Sequence, residues 1–167
     1  ATLRYAYEEA IGHCVDPDAV RDKDGISAAV VVCDLVVALR KQGQTVQDRL
    51  DALAAKYGVH RTGAVSVHTD ADAVMARLRA EPPAQIAGIA VGVEDLDQLR
   101  GPRRTDALIF TGEGLRVAVR PSGTEPKVKC YIEVSKQPAA DVSASGAAAE
   151  YERREIEAGV TGLLAPA

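Results

Sequence analysis

The segment Arg120-Pro121-Ser122-Gly123-Thr124-Glu125-Pro126-Lys127 gathers a guanidinium, two hydroxyls, a glycine and an ammonium between two prolines. The prolines fix the direction of the chain, and Gly123 permits backbone geometries that aim successive amides into one concavity. Such an anion nest, with the hydroxyls of Ser122 and Thr124 beside it, suits a tetrahedral oxyanion better than a flat carboxylate. Arg120 adds a planar fork capable of bidentate, charge-assisted contact with phosphate. Beyond the loop, Val128, Cys130 and Ile132 fall on one face of a strand, which turns Lys129 to the other face, toward the same ligand. Ser122 reads as a binding hydroxyl rather than a nucleophile, because no histidine or acid sits beside it in sequence to activate it. On composition alone, a solvated Pro-Ser-Gly turn with basic flanks remains an equal alternative.

Other reactive side chains cluster near the start of the chain. Glu8 and Glu9 sit together in Tyr7-Glu8-Glu9-Ala10-Ile11-Gly12, followed closely by His13 and by Asp22-Lys23-Asp24-Gly25. A carboxylate can accept hydrogen bonds from two adjacent sugar hydroxyls, although two solvated glutamates on a loop fit the same letters. Lys23 can offset phosphate charge or be a solvated loop lysine, and His13 is a candidate proton acceptor. Aligning Asp22, Asp24 and Gly25 to a calcium-binding EF-hand loop puts Val20 and Val31 at essential ligand positions, so that reading fails. His60 and His68 have no partners at metal-ligand spacing, and no metal site is expected in these residues.

The elements that must position these groups follow from the apolar pattern. Ile26 to Leu39 is nearly continuous in apolar residues and ends at Arg40-Lys41-Gln42-Gly43, which predicts a buried helix. Thr45-Val46-Gln47-Asp48 predicts a capping box, after which Val46, Leu50, Leu53 and Tyr57 form one stripe expected to face a core. The pattern changes at 58–63, the expected domain boundary. Beyond it, Val65-Ser66-Val67 alternates as a short strand, and Thr69 with Asp72 is a second candidate capping box before a helix that Glu81-Pro82-Pro83 ends. Ile86 to Val93 is a candidate strand. Leu108-Ile109-Phe110 and Leu115 to Arg120 form a predicted hairpin about Thr111 to Gly114, Val128 to Val134 a further strand, and Ala147 to Leu164 a terminal helix. This order predicts an α+β protein: a C-terminal domain at 64–167 with a four-stranded antiparallel sheet flanked by helices, preceded by a partial α/β domain at 1–58.

With 47% apolar residues in 167, the chain can bury a real core. Its net charge of −4 provides no overall basic field, which argues against nucleic acid or an anionic membrane as partner. Cys14, Cys33 and Cys130 are odd in number and widely spaced, as expected of reduced thiols in a cytoplasmic protein.

The string R-P-S-G-T-E-P-K followed by a strand with a second basic residue resembles the phosphate-binding loop in the last domain of the α-D-phosphohexomutases, the phosphoglucomutases and phosphomannomutases. Tyr7 to Gly12 resembles that family's sugar-recognition loop, and Asp22 to Ala29 the segment opening its next helix. The form A-Y-E-E-A-I-G resembles most the branch with the phosphopentomutase-like phosphoglucomutases. The resemblance covers almost the whole chain except residues 138–147. It implies phosphate binding by Arg120, Ser122, Gly123, Thr124 and Lys129, sugar binding at Glu8 and Ala10, and catalytic support from Lys23 and His13. Ala10 stands where many relatives carry Ser. The implied reaction interconverts sugar 1-phosphate and 6-phosphate, of glucose or mannose, through a phosphoserine and a bisphosphate intermediate, with Mg²⁺ as cofactor and a sugar bisphosphate as activator. The serine loop (T-A-S-H-N-P type) and the Mg²⁺ loop (D-G-D-G-D-R type) do not occur in these residues. The expectation is therefore the C-terminal part of a mutase, inactive alone and partnered by N-terminal domains of the same protein and by hexose phosphate. The alternative is a stand-alone phosphosugar-binding or scaffolding module.

Overall fold

The computed structural model describes residues 3–8 and 12–165, which divide into two compact units at 1–52 and 53–167. In the first unit, strands β1 (Ala6–Glu8) and β2 (Gly12–Cys14) form an antiparallel pair that sets Tyr7 opposite His13. Helix α1 (Gly25–Lys41) follows, with the Asp24 carboxylate accepting from the amide of Ile26 at 3.0 Å and with Arg40 and Lys41 in its last turn. Both ends thus match the helix dipole.

The predicted helix is present, but its expected burial is not. Ile26 is 82% exposed, and Val30, Val31, Val32, Leu35 and Val37 are all exposed, while only Ala28 and Leu39 are buried. Helix α2 (Val46–Tyr57) starts at the predicted capping box. The amide and hydroxyl of Thr45 donate to Asp48 at 2.7 and 2.8 Å, and the amide of Asp48 donates back to the Thr45 hydroxyl at 3.1 Å. Its apolar stripe, however, is exposed at Val46, Leu50, Leu53 and Tyr57. Periodicity marks the stripe but does not bury it, and on this helix Ala54 is the residue packed against the core.

The second unit carries a six-stranded sheet, which corrects the four-stranded expectation. Its strands are β3 (Val59–His68), β4 (Gln85–Ile86), β5 (Ile89–Asp95), β6 (Leu108–Gly112), β7 (Leu115–Pro121) and β8 (Lys127–Lys136), in the order β3-β8-β7-β6-β5-β4. All adjacent pairs are antiparallel. The expected single strand across Ile86 to Val93 is two strands. Ala87 and Gly88 both have positive φ, 48° and 81°, and fold the chain back in a tight two-residue turn of the kind that suits a hairpin. The expected short strand at 65–67 is one part of a ten-residue strand, with Val65 and Val67 on its core side.

One sheet face is packed by α3 (Ala71–Ala80) and α4 (Val142–Leu164). Phe110, Val117, Val119, Cys130 and Val134 from the sheet join Met75, Leu78, Ile156 and Val160 from the helices in one core. Each such side chain contributes about 1.5–3 kcal/mol by leaving water. The cap of α3 is Asp70, which accepts from the amide of Ala73 at 3.0 Å, rather than the expected pair Thr69 and Asp72. Helix α4 begins five residues before the predicted start, capped by Asp141 on the amide of Ala144 at 2.8 Å. Its far end is held by Arg77, whose guanidinium donates to the carbonyls of Leu163 and Ala165 at 2.8 and 3.1 Å.

Candidate functional site

Strands β7 and β8 fix the position of Arg120. Along β7, Leu115, Val117 and Val119 are buried in the core, so Arg116, Ala118 and Arg120 lie on the opposite face. On β8, Val128, Cys130, Ile132 and Val134 are buried, which places Lys127, Lys129, Tyr131 and Glu133 on that same opposite face. Arg120 and Lys129 are direct cross-strand partners. Two cations at one register position repel in isolation, so their pairing costs stability unless an anion or dipole compensates.

The loop between them is held by backbone bonds. The amide of Ser122 donates to the carbonyl of Lys127 at 2.9 Å, and the amide of Lys127 to the carbonyl of Glu125 at 2.8 Å. The amide of Thr69 donates to the carbonyl of Pro126 at 3.1 Å, tying the loop to the turn before α3. Gly123 and Thr124 are exposed, and Ser122 is half-buried. Lys127 pairs with Glu125 inside the loop, and this contact, reinforced by the charge of Lys127, holds the Glu125 carboxyl below its usual range. A cavity of about 650 Å³ lies beside the loop, lined by His68, Asp70, Asp72, Ser122 and Glu125 among others.

Three residues not expected at this site from sequence share this face. Tyr131 accepts a hydrogen bond from Arg120 Nη2 at 3.1 Å, and its ring centroid lies 5.6 Å from the guanidinium carbon. Ser66 and His68 on β3 are the register partners of Lys129 and Lys127. The alternation that placed Lys129 also places Tyr131, two residues on, so that residue was within reach of the sequence. Ser66 and His68 required the pairing of strands about 60 residues apart, which no local pattern encodes. Cys130, by contrast, points into the core, where burial pushes its thiol up to about 12 and leaves it without thiolate character at neutral pH.

In the first unit, Glu8 ends β1 opposite Gly12, and the structure brings Glu8 and Lys23 together, with Lys23 Nζ 3.7 Å from Glu8 Oε1 and 3.4 Å from Asp22 Oδ1. A Cβ at Gly12 would collide with both the Glu8 and Lys23 side chains, so glycine is what allows this approach. Asp22, by hydrogen bonding and charge, and then Glu8 raise the pKa of Lys23, keeping it a cation. These residues line a cavity of about 440 Å³ with Tyr7, Arg21 and Cys14, a volume within the range of small-molecule sites. His13 does not line it; its Nδ1 is 2.9 Å from the Tyr5 hydroxyl and its ring 5.1 Å from that of Tyr7. Glu9 and Ala10 lie outside the described residues.

The second unit is thus an antiparallel sheet backed by helices on one face, with basic side chains gathered at the end of a hairpin on the other. The chain matches two family models: phosphoglucomutase/phosphomannomutase, C-terminal domain, over residues 41–148, and phosphoglucomutase/phosphomannomutase, alpha/beta/alpha domain III, over residues 1–57. It belongs to the phosphoglucomutase/phosphomannomutase family. A "Probable phosphomannomutase" of Haemophilus influenzae is 45% identical over 136 residues, covering 78% of this chain and 28% of the relative. A phosphoglucomutase of Staphylococcus aureus is 31% identical over 152 residues, covering 78% of this chain and 27% of the relative. The chain thus spans little more than a quarter of the length of these curated relatives. The crystal structure of parafusin, a phosphoglucomutase from Paramecium, in its open form matches 95% of this chain and 30% of its own at a TM-score of 0.57 and 16% identity, a likeness of fold.

Mg²⁺, which the family resemblance implies, finds no fitting site among the described residues: no group of three or more His, Cys, Asp or Glu side chains converges there. Nor is any described helix long and apolar enough to cross a membrane.

Proposed function

We propose that this chain is the C-terminal part of a phosphohexomutase, with the end of its third domain at 1–58 and its fourth domain at 64–167. The whole protein would interconvert the 1-phosphate and 6-phosphate of glucose or mannose, through a phosphoserine supplied from outside these residues and a sugar bisphosphate that turns over in the site. In this reading the loop from Arg120 holds the phosphate that is not being transferred. Arg120 supplies the bidentate fork, Lys129 a second charge, Ser122 and Thr124 hydroxyls, and Gly123 the backbone geometry. Glu8 accepts from sugar hydroxyls, and Lys23 offsets charge near the reacting phosphate. His13 is assigned no proton transfer.

The observation that carries this reading is the direct register pairing of Arg120 with Lys129 at the mouth of the loop. Two adjacent cations on the open sheet face, in a chain of net charge −4, form a local anion site rather than part of a general basic field. Phosphoryl transfer relies on positioning and charge neutralisation, so binding groups without the phosphoserine hold substrate and turn nothing over.

The test is Arg120→Ala in the full-length protein containing this chain. Loss of charge-assisted hydrogen bonds worth about 1.5–3 kcal/mol each predicts at least tenfold weaker binding of glucose 1-phosphate or mannose 1-phosphate. Unchanged affinity for both would remove the loop from the site.

A further inference from the structure

We propose that Tyr131 is a positioning residue that holds the guanidinium of Arg120 in its phosphate-gripping orientation before ligand arrives; this rests on the reading of Arg120 given above. An arginine at the end of a strand has several rotatable bonds, and freezing them on binding reduces affinity. Arg120 is held at two points by the protein itself. Nη2 donates to the Tyr131 hydroxyl at 3.1 Å and Nη1 to the carbonyl of Pro121 at 3.4 Å. The guanidinium carbon also lies 5.6 Å from the centroid of the Tyr131 ring, within range of a cation–π contact.

The sheet makes room for this arrangement. Tyr131 is two residues beyond Lys129, the direct partner of Arg120, so tyrosine and arginine are diagonal neighbours within reach of long side chains. The residues paired with Tyr131 on its two sides are both alanines, Ala64 on β3 and Ala118 on β7. Small neighbours on both flanks leave space beside the Tyr131 side chain on this face. Arginine has five N–H donors, and the two contacts occupy one on each terminal nitrogen, which leaves Nε and the remaining terminal donors for an anion.

The experiment uses the 167-residue chain, with inorganic phosphate as probe followed by ³¹P NMR and the Arg120 Nε–H resonance followed without ligand. Tyr131→Phe keeps the ring and removes the hydroxyl. Its expected effects are roughly threefold to tenfold weaker phosphate binding, an Arg120 resonance averaged toward that of a free arginine, and an unchanged unfolding midpoint. Tyr131→Ala, which also removes the cation–π contact, is expected to weaken binding by more than about tenfold. An Arg120 resonance that is the same in wild type and Tyr131→Phe, with phosphate affinity within about 1.5-fold of wild type, overturns the proposal. Arg120→Ala serves as the separate control. If it binds phosphate as wild type does, the phosphate reading of the loop falls, whereas the resonance of Arg120 in Tyr131→Phe still decides the positioning of the guanidinium.

Discussion

The two units of this chain treat their apolar residues in opposite ways. In residues 53–167 the inward side chains of the sheet and two helices close over one another, and Phe110, Val117, Val134, Ile156 and Val160 are wholly buried. In residues 1–52 the buried apolar residues among those described are Cys14, Ala28 and Leu39, while a helix that is apolar on nearly every side presents valines and isoleucine to solvent. A helix with that composition is ordinarily enclosed. One unit therefore contains the partners of its own hydrophobic surface, and the other displays a surface that needs cover. In a chain spanning about 28% of a relative's length, this supports the proposal that the first unit is a portion of a larger domain.

Substitutions can break or sharpen this contrast. The largest effect is expected for Phe110→Ala, which empties the middle of the closed core and should cost about 3–5 kcal/mol, read as a lower denaturation midpoint of the second unit. A loss under about 1 kcal/mol would mean that the core is less tightly packed than its burial indicates.

A smaller effect is expected from acid. Arg153 and then Arg154 hold the Glu150 carboxyl on α4 down to about 2 from its ordinary 4.5. A depressed carboxyl contributes stability that is fully present above its unfolded pKa and is lost as pH falls through the folded one. The contribution of Glu150 should therefore fade between about pH 4.5 and 2. In thermal melts across that window, Glu150→Gln should show a shallower decline than wild type; parallel curves would mean that the pairing in the folded chain does not stabilise it.

The smallest effect is expected on α1. Val31→Ser removes a side chain already 51% exposed, so the chain's unfolding free energy should move by no more than about 0.5 kcal/mol, with less self-association at high concentration. A loss comparable to that of Phe110→Ala would show that this helix is already covered, and the contrast between the units would disappear.

Much of the arrangement was legible in the letters because it depends on local rules. The capping box at Thr45 and Asp48, the basic end of α1 and the alternation through β7 and β8 follow from neighbours within a few residues. The same alternation was enough to turn Arg120 and Lys129 to one face. The expected strand count falls short of six in part because one strand is expected across Ile86 to Val93, where Ala87-Gly88 is the turn between two. Burial of α1 and of the α2 stripe was also misjudged, since periodicity says which face is apolar but not whether anything packs against it.

By itself, then, the sequence determined which side chains the loop carries, the facing of its flanking strands and the family motifs, all of which are encoded over a few consecutive residues. Only the tertiary structure decided that β3 lies against β8 to bring Ser66 and His68 beside the lysines, and that Tyr131 grips Arg120 between two alanines. Strand order and register are set by packing of the whole core, to which every strand contributes and which no single segment encodes.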